Sequence, residues 1–448
     1  MKSTKNCLSL ICGVILATLT SCLGDDNQDD YFISNAEIIT FAVQHDSIPT
    51  LDSVIFHIDQ VNELIYNTDS VRYGINPRDY KYVVTYTAGG FGFFNLTFDA
   101  IGNLADSVWV SSGDTLDFSK PFYVKSYAGD GIKCKIYAVE LNFAKTDPDS
   151  IQYKRLVSEL AFLDVSESNT LAFNGKICTY SRSSSVELHT SEDGTNWVPE
   201  SLDGFPEKAV LSNMAVLNGK LYLISQDGKM YFSPDAQHWE EIPVAYPVVT
   251  LMGAVQQSTV QPGVLACVVK QDEVLYFAAT RGDGQFVTGN PVPSDFPVQG
   301  FASLSYERMQ TQYLLIVGGQ TTSATIQNLV WATENGTYWA MISEANGRGR
   351  IPAMTGANVI QYGADRNLFL FNGKLSSGSF NEDVYRSRDN GIFWEKMPNK
   401  YKFPVAYWRR YDASVVLGDK NIFYFFGGKN AEPVTDCWSG RQNRLIVE

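Results

Sequence analysis

Between residues 35 and 146, apolar and polar positions alternate with a period of two. Ala36–Val43, Ser53–Ile58, Lys81–Thr87, Phe93–Phe98, Ser107–Val110 and Ile132–Phe143 each put apolar side chains on one face, as a half-buried strand requires. Ile48-Pro49, Asn76-Pro77, Gly89-Gly90, Ser112-Gly113-Asp114 and Gly129-Asp130-Gly131 supply the turns. No stretch carries a convincing helical period, so the pattern predicts an antiparallel β-sandwich over residues 35–146. Asp147-Pro148-Asp149 reads as the linker that ends it.

Residues 151–448 repeat a different pattern, four short strands at a time. In the second copy Asn213–Leu217 turns at Asn218-Gly219 into Lys220–Ser225, which turns at Asp227-Gly228 into Lys229–Phe232, ahead of Trp239–Ile242. Asn-Gly and Asp-Gly between apolar runs are strong hairpin signals, because such turns need positive φ. The first copy has the same turn at Phe173-Asn174-Gly175-Lys176. A polar stretch ending in Trp closes most copies: Ser387–Trp394 reads S-R-D-N-G-I-F-W, with weaker versions at Thr190–Trp197, Phe232–Trp239 and Ala332–Trp339. Asp389 and its equivalents shape a turn, and the Trp anchors the next strand in the core.

The tryptophan spacing counts the copies. It is 42 residues from Trp197 to Trp239 and 55 from Trp339 to Trp394, while the 100 residues between Trp239 and Trp339 leave room for an unmarked copy. That copy runs through Gly263–Val269, Val274–Ala279 and Arg281–Phe286, with Phe286 in place of Trp. A sixth follows Trp394 through Asn421–Phe426 and Gly427-Gly428 to Leu445. Phe205-Pro206, Tyr246-Pro247, Phe296-Pro297, Ile351-Pro352 and Phe403-Pro404 are expected to open the innermost strands of copies two to six, where a missing N–H costs least. Six four-stranded meanders at this period predict a six-bladed β-propeller over residues 151–448.

Gly318-Gly319 and Gly427-Gly428, each after an apolar strand and combined with the closing tryptophans, resemble kelch repeats. The S-x-D-x-G-x-x-W stretches resemble the Asp-box of sialidase-type propellers. The whole chain is similar to a family of Bacteroidetes-type lipoproteins with an N-terminal Ig-like domain and a C-terminal kelch-like propeller. The resemblance implies an all-β fold, an Ig-like β-sandwich followed by a six-bladed kelch-like β-propeller, and says nothing of activity.

The N-terminus and the charge balance narrow the setting. Lys2 and Lys5 precede the apolar run Leu8–Leu19, which ends in Leu19-Thr20-Ser21-Cys22. This is a secretory signal, too short to span a membrane. It resembles the lipobox of bacterial lipoproteins, which implies that residues 1–21 are a lipoprotein signal peptide and Cys22 the lipidated first residue. Residues 22–34, with four acids between Leu23 and Asp30, read as a solvated acidic tether. The tract also resembles that of surface-exported lipoproteins. The implied location is the outer membrane, displayed at the cell surface, with membrane contact through the lipid anchor only. The formal net charge is -14, or -16 (33 basic against 49 acidic) once Lys2 and Lys5 are gone, which argues against nucleic acid as a partner. Cys134, Cys178, Cys267 and Cys437 form no C-x-x-C spacing, and the last three lie in strand-like runs as buried thiols. His45, His57, His189 and His238 form no metal-ligand spacing, and no cofactor is expected.

Candidate chemistry lies in the loops that enter the innermost strands, around the channel mouth. Tyr407-Trp408-Arg409-Arg410 is the densest aromatic and basic group, and Arg348-Gly349-Arg350 comes from the preceding repeat. Aromatic rings and guanidinium groups stack on sugars or grip carboxylates. Arg348, Arg350, Tyr407, Trp408, Arg409 and Arg410 are therefore the expected contacts of a non-catalytic binding or scaffolding module for an extracellular glycan or a partner surface protein. The alternative is a sialidase-like glycoside hydrolase, since Arg350-Ile351-Pro352 matches the Arg-Ile-Pro element of that family. There it precedes the first Asp-box; here it follows four copies and coincides with the recurring apolar-Pro pair. A kelch-type copper oxidase would need several histidines and a Tyr-Cys pair in one site.

Overall fold

The computed structural model describes residues 35–443 apart from 72, 76–80, 91, 119–121, 145–146, 148–149, 344–346 and 419–420. The proposed signal peptide, Cys22, the acidic tether, Pro148-Asp149 of the linker and Leu445 lie outside the described residues. The chain divides after residue 148 into two compact units. No helix among the described residues is long and apolar enough to cross a membrane.

Among its described residues the first unit has two sheets. One orders Ile38–Gln44, Tyr82–Ala88 and Thr115–Leu116; the other orders Phe56–Asp59, Leu64–Asn67, Cys134–Glu140, Phe122–Tyr127, Gly92–Phe98 and Leu104–Val110. Ile38, Phe41, Tyr82 and Val84 from the first sheet share one core with Phe93, Phe122, Val124 and Tyr137 from the second. Leu64–Asn67 and Thr115–Leu116 escaped the period-two reading because they are too short to show a period, and Phe122–Tyr127 escaped it because Tyr123 and Tyr127 on its outer face and Ser126 on its inner face blur the alternation. The expectation of an antiparallel sandwich needs one correction: Leu64–Asn67 runs parallel to Cys134–Glu140. A parallel neighbour is reached by a long crossover, which the spacing of consecutive strands does not reveal.

Among its described residues the second unit holds six four-stranded sheets. The first is built from Glu167–Phe173, Lys176–Arg182, Val186–Ser191 and Val198–Glu200, and the second from Ala215–Leu217, Lys220–Ile224, Met230–Ser233 and Glu240–Ile242. Val248–Val255, Val264–Gln271, Val274–Thr280 and Val287–Pro291 make the third; Ala302–Arg308, Thr311–Val317, Val330–Thr333 and Ala340–Met341 make the fourth. Met354–Tyr362, Asn367–Leu375, Tyr385–Ser387 and Glu395–Lys396 form the fifth. In the sixth, Ser414–Leu417, Phe423–Phe426 and Cys437–Asn443 are completed at the outer edge by Ser150–Val157, which pairs antiparallel with Cys437–Asn443. At five of the six junctions the first strands of neighbouring sheets pack against one another, closing the sheets about a common axis, the arrangement of a β-propeller. The Asn-Gly turns form as the sequence predicts, with Asn174 and Asn218 at φ 49° and Gly175 and Gly219 at 77° and 71°.

The apolar-Pro pairs do not generally open strands. Val248 follows Pro247 directly, but the other first strands begin at Ala215, Ala302, Met354 and Ser414, well clear of their prolines in three cases. In three of the pairs the apolar member is instead a wedge between sheets, whereas Tyr246 is exposed. Phe205 stacks on Tyr180 of the first sheet and meets Trp239 of the second edge-on, at 5.5 and 5.3 Å. Phe296 sits between Phe277 and Trp331, at 4.7 and 5.1 Å, and Phe403 between Phe371 and Phe425, at 5.9 and 5.2 Å.

Candidate binding site

Each sheet has two ends. Turns between its first and second and its third and fourth strands lie at one end; the turn between its second and third strands and the segment entering the next sheet lie at the other. The Ser–Asp–Gly–Trp stretches are third-to-fourth turns, and their polar atoms are spent inside the turn. Ser387 Oγ donates to Asp389 Oδ1 and accepts from the Gly391 N–H, both at 2.8 Å. Asp389 Oδ1 accepts the Phe393 N–H at 2.9 Å, and Trp394 Nε1 donates to the Gly391 carbonyl at 3.0 Å. Asn335 takes the acid's place in the fourth sheet, its amide oxygen accepting the Thr337 and Tyr338 N–H groups at 3.0 Å each. In the unmarked copy Asp283 accepts from Thr280 Oγ1 and the Gln285 N–H at 3.1 and 3.0 Å. Bonds from the Asn196 and Thr195 N–H groups hold the Asp193 carboxyl well below the usual range. Burial alone would raise Asp235, but bonds from His238 and Gln237 outweigh it and leave the group at about 2.

Around the axis, side-chain hydrogen bonds join every pair of neighbouring sheets. Asn169 Nδ2 donates to the Leu211 carbonyl at 2.7 Å, Asn213 Nδ2 to Thr250 Oγ1 at 2.6 Å, and Ser303 Oγ to the Met252 carbonyl at 2.7 Å. Thr355 Oγ1 reaches the Gly300 carbonyl at 3.1 Å, Asn358 Nδ2 the Ala413 carbonyl at 2.6 Å, and Ser414 Oγ the Asn169 amide oxygen at 3.3 Å. All of these residues but Leu211 and Thr250 line a polar cavity of about 770 Å³ at the channel mouth. Much of its polar surface is engaged in holding the sheets together. No group of three or more His, Cys, Asp or Glu side chains that could hold a metal occurs among the described residues.

A second cavity, also about 770 Å³, opens on the same end between the fifth and sixth sheets. Its walls are Phe380 and Glu382 from the fifth sheet, Asn430 and Glu432 from the sixth, and the entering segment Lys402–Arg409. Phe380 stacks on Tyr411 at 6.1 Å, and Tyr411 lines the channel mouth, so one aromatic wall separates the two cavities.

The structure separates the six expected contacts. Trp408 is 64% exposed over the cleft, and Val405 beside it is fully exposed. Arg409 also lines the cleft but is paired with Glu382 at 2.5 Å. Tyr407 is buried: its ring stacks on Phe403 at 3.8 Å, its hydroxyl donates to Asn372 at 3.0 Å, and burial pushes its phenol up to about 12. Arg410 has no solvent exposure, so the expectation that it grips a ligand is corrected; its Nη1 meets Asp436 at 2.6 Å and the Gly427 carbonyl at 3.0 Å. Arg348 and Arg350 do not belong to the channel mouth either. Gly349 between them accepts the Trp394 N–H at 2.7 Å, which places the pair on the outer rim beside the polar turn of the fifth sheet. Neither arginine lines the cleft or the channel mouth.

The loop bearing Trp408 is braced from beneath. Arg410 Nε donates to the Trp408 carbonyl at 2.9 Å, Asn430 Nδ2 to the Arg409 carbonyl at 3.0 Å, and the Tyr407 N–H to the Pro404 carbonyl at 2.9 Å. Sequence reasoning missed Asn372, Glu382, Asn430 and Glu432, none of which carries a distinguishing local signal.

Two family models match the chain. One described as the DUF6242 N-terminal domain, a domain of unknown function, covers residues 33–141; one described as the DUF6242 beta propeller domain covers residues 147–448. No curated protein matches. Solved structures similar to the chain include YjhT, at 11% identity and TM-score 0.43, covering 63% of this chain and 96% of that one. The SapL1 lectin in complex with alpha methyl fucoside is similar at 13% identity and TM-score 0.39, over 64% and 100% of the two chains. A glycosyl hydrolase from Bacteroides ovatus is similar at 12% identity and TM-score 0.34, over 64% and 94%. The chain belongs to the DUF6242 family, carrying its N-terminal domain followed by its β-propeller domain.

Proposed function

We propose that this protein is a non-catalytic binding module of the cell envelope, anchored through Cys22, whose ligand, an extracellular glycan or a partner surface protein, docks in the Trp408 cleft. In this reading the first unit is an Ig-like sandwich and the propeller has six blades, the sixth closed by Ser150–Val157. The observation that carries the binding role is Trp408 itself, 64% exposed on a loop whose backbone carbonyls are held by Arg410 and Asn430. With the backbone beneath it held, only the two side-chain torsions of the ring remain to be fixed on meeting a ligand, a small cost for so large an apolar face. The cleft's volume falls in the range of small-ligand sites, ~300–1,000 Å³.

The test is a comparison of Trp408→Ala with Tyr338→Ala, a control ring 61% exposed on a polar turn at the other end of the sheets. Binding to arrayed glycans and to co-purifying envelope proteins should fall at least tenfold in W408A, with thermal unfolding unchanged, and persist in Y338A. Undiminished binding by W408A refutes the cleft. Release of free sugar from sialylated or neutral glycoconjugates would replace the binding role with the glycoside hydrolase alternative.

A further inference from the structure

Resting on that reading of the cleft, we propose that its ligand is an uncharged saccharide, one pyranose face stacked on Trp408 and adjacent hydroxyls shared between Arg409 and Glu382. The lining carries two cations, Lys402 and Arg409, against two carboxylates, Glu382 and Glu432, so it offers an anion no net positive charge. Arg409 is matched by Glu382 at 2.5 Å, Lys402 shares Asp383 with Lys396 at 2.8 and 2.6 Å, and Arg410 is sealed behind the loop with Asp436. Glu432 on the facing wall adds a further carboxylate. A uronate, sialate or sulfate entering here would compete with Glu382 for Arg409 and face Glu432, a like-charge arrangement that binding sites avoid.

The same groups suit a neutral sugar. A guanidinium offers only donors and a carboxylate only acceptors, so the exposed pair presents both side by side, and each sugar hydroxyl can donate to Glu382 while accepting from Arg409. Glu432 takes a further hydroxyl proton donor. Trp408 supplies an apolar face for the ring's C–H groups. Phe403 and Phe380 are committed to stacking on Tyr407 and Tyr411, which leaves Trp408 as the exposed aromatic platform of the cleft. A groove for an extended proline-rich peptide would need successive exposed aromatic ridges instead.

Native affinity electrophoresis of the full chain tests this, in gels containing neutral polymers (dextran, yeast mannan, galactan, xyloglucan) or acidic ones (polygalacturonate, hyaluronate). At least one neutral polymer should retard the protein and the acidic ones should not. W408A should migrate freely. Glu382→Gln, which unpairs Arg409, should weaken the neutral interaction roughly tenfold, the scale of one hydrogen bond to a charged group, and confer retardation by polygalacturonate. Trp408-dependent retardation by an acidic polymer overturns the neutral class and leaves the cleft standing. Retardation that survives W408A overturns the cleft. No retardation by any neutral polymer, with a protein partner lost in W408A, overturns the saccharide in favour of a protein ligand at the same place.

Discussion

Arg410→Ala removes the brace beneath Trp408, and its cost follows from the contacts. The guanidinium is fully buried and bonds to Asp436, the Gly427 carbonyl and the Trp408 carbonyl at 2.6, 3.0 and 2.9 Å. Asp436 keeps one other partner, the Trp438 indole N–H, which donates to its second oxygen at 2.7 Å. Truncation at Arg410 leaves a buried carboxylate without its cation, and breaking such a pair from one side costs ~3–5 kcal/mol. Nη1 alone reaches Asp436, and Nη2 finds no hydrogen-bond partner among the described residues, so the contact is not a two-pronged fork. That sets the cost near the lower end, ~3 kcal/mol. Removing both charges with R410M/D436L should cost less than R410A alone, because no stranded ion remains. Seven of the eight tryptophans lie in the second unit, so urea unfolding followed by indole fluorescence reads mainly that unit. R410A stability within ~0.5 kcal/mol of the parent, the usual range of an inert surface change, would show that the buried pair does not hold the sixth sheet together. So would a double variant as unstable as the two single changes added together.

Three other outcomes follow from the same structure. Burial pushes the Cys178 thiol up to about 11 and raises Cys267 and Cys437 further, whereas Cys134 is exposed; native alkylation read by peptide mass spectrometry should label Cys134 and reach the three buried thiols only in denaturant. Asp235 sits at about 2 when folded against 3.8 unfolded, so its contribution to stability is complete above pH 3.8 and is lost as pH falls from there through 2. Asp235→Asn should fold normally at neutral pH, since Asn335 fills the same role in the fourth sheet, and should show a shallower acid-unfolding curve over that window. Asn358→Ala opens the junction of the fifth and sixth sheets, stranding the Ala413 carbonyl and the Asn372 amide that donates to Asn358 at 2.8 Å; a loss of ~2–3 kcal/mol in urea unfolding is expected, and a loss under ~0.5 kcal/mol would show that the axial hydrogen bonds are dispensable.

The propeller was legible because its signals are local. Asn218-Gly219 needs only itself to form a positive-φ turn, and Trp394 needs only Gly391, three residues away, to dock its indole N–H. Ser150–Val157 was not legible as the edge of the sixth sheet. Its partner Cys437–Asn443 lies at the far end of the chain, and its burial shows no clean alternation. The candidate site divides along the same line. Trp408 and Arg409 follow Pro404 in a loop whose placement in the entering segment the repeat defines, but they line the cleft between the fifth and sixth sheets and not the channel mouth where they were expected. Arg348 and Arg350 instead precede their apolar-Pro pair, and the Trp394 N–H draws Gly349 to the outer rim, a bond between segments 45 residues apart in sequence. Arg410 is the sharpest case. Arginine is seldom fully buried unless paired, so composition places it in solvent. Asp436, 26 residues on, reverses that only because the antiparallel register of the sixth sheet sets Phe426 opposite Cys437 and so brings the segments after one and before the other together. A guanidinium drawn inward by that register cannot hold a ligand, but it can fix the carbonyl of the residue two before it. The densest aromatic and basic group of the chain thereby presents Trp408 and a carboxylate-paired Arg409, not two free guanidinium groups, to whatever enters the cleft.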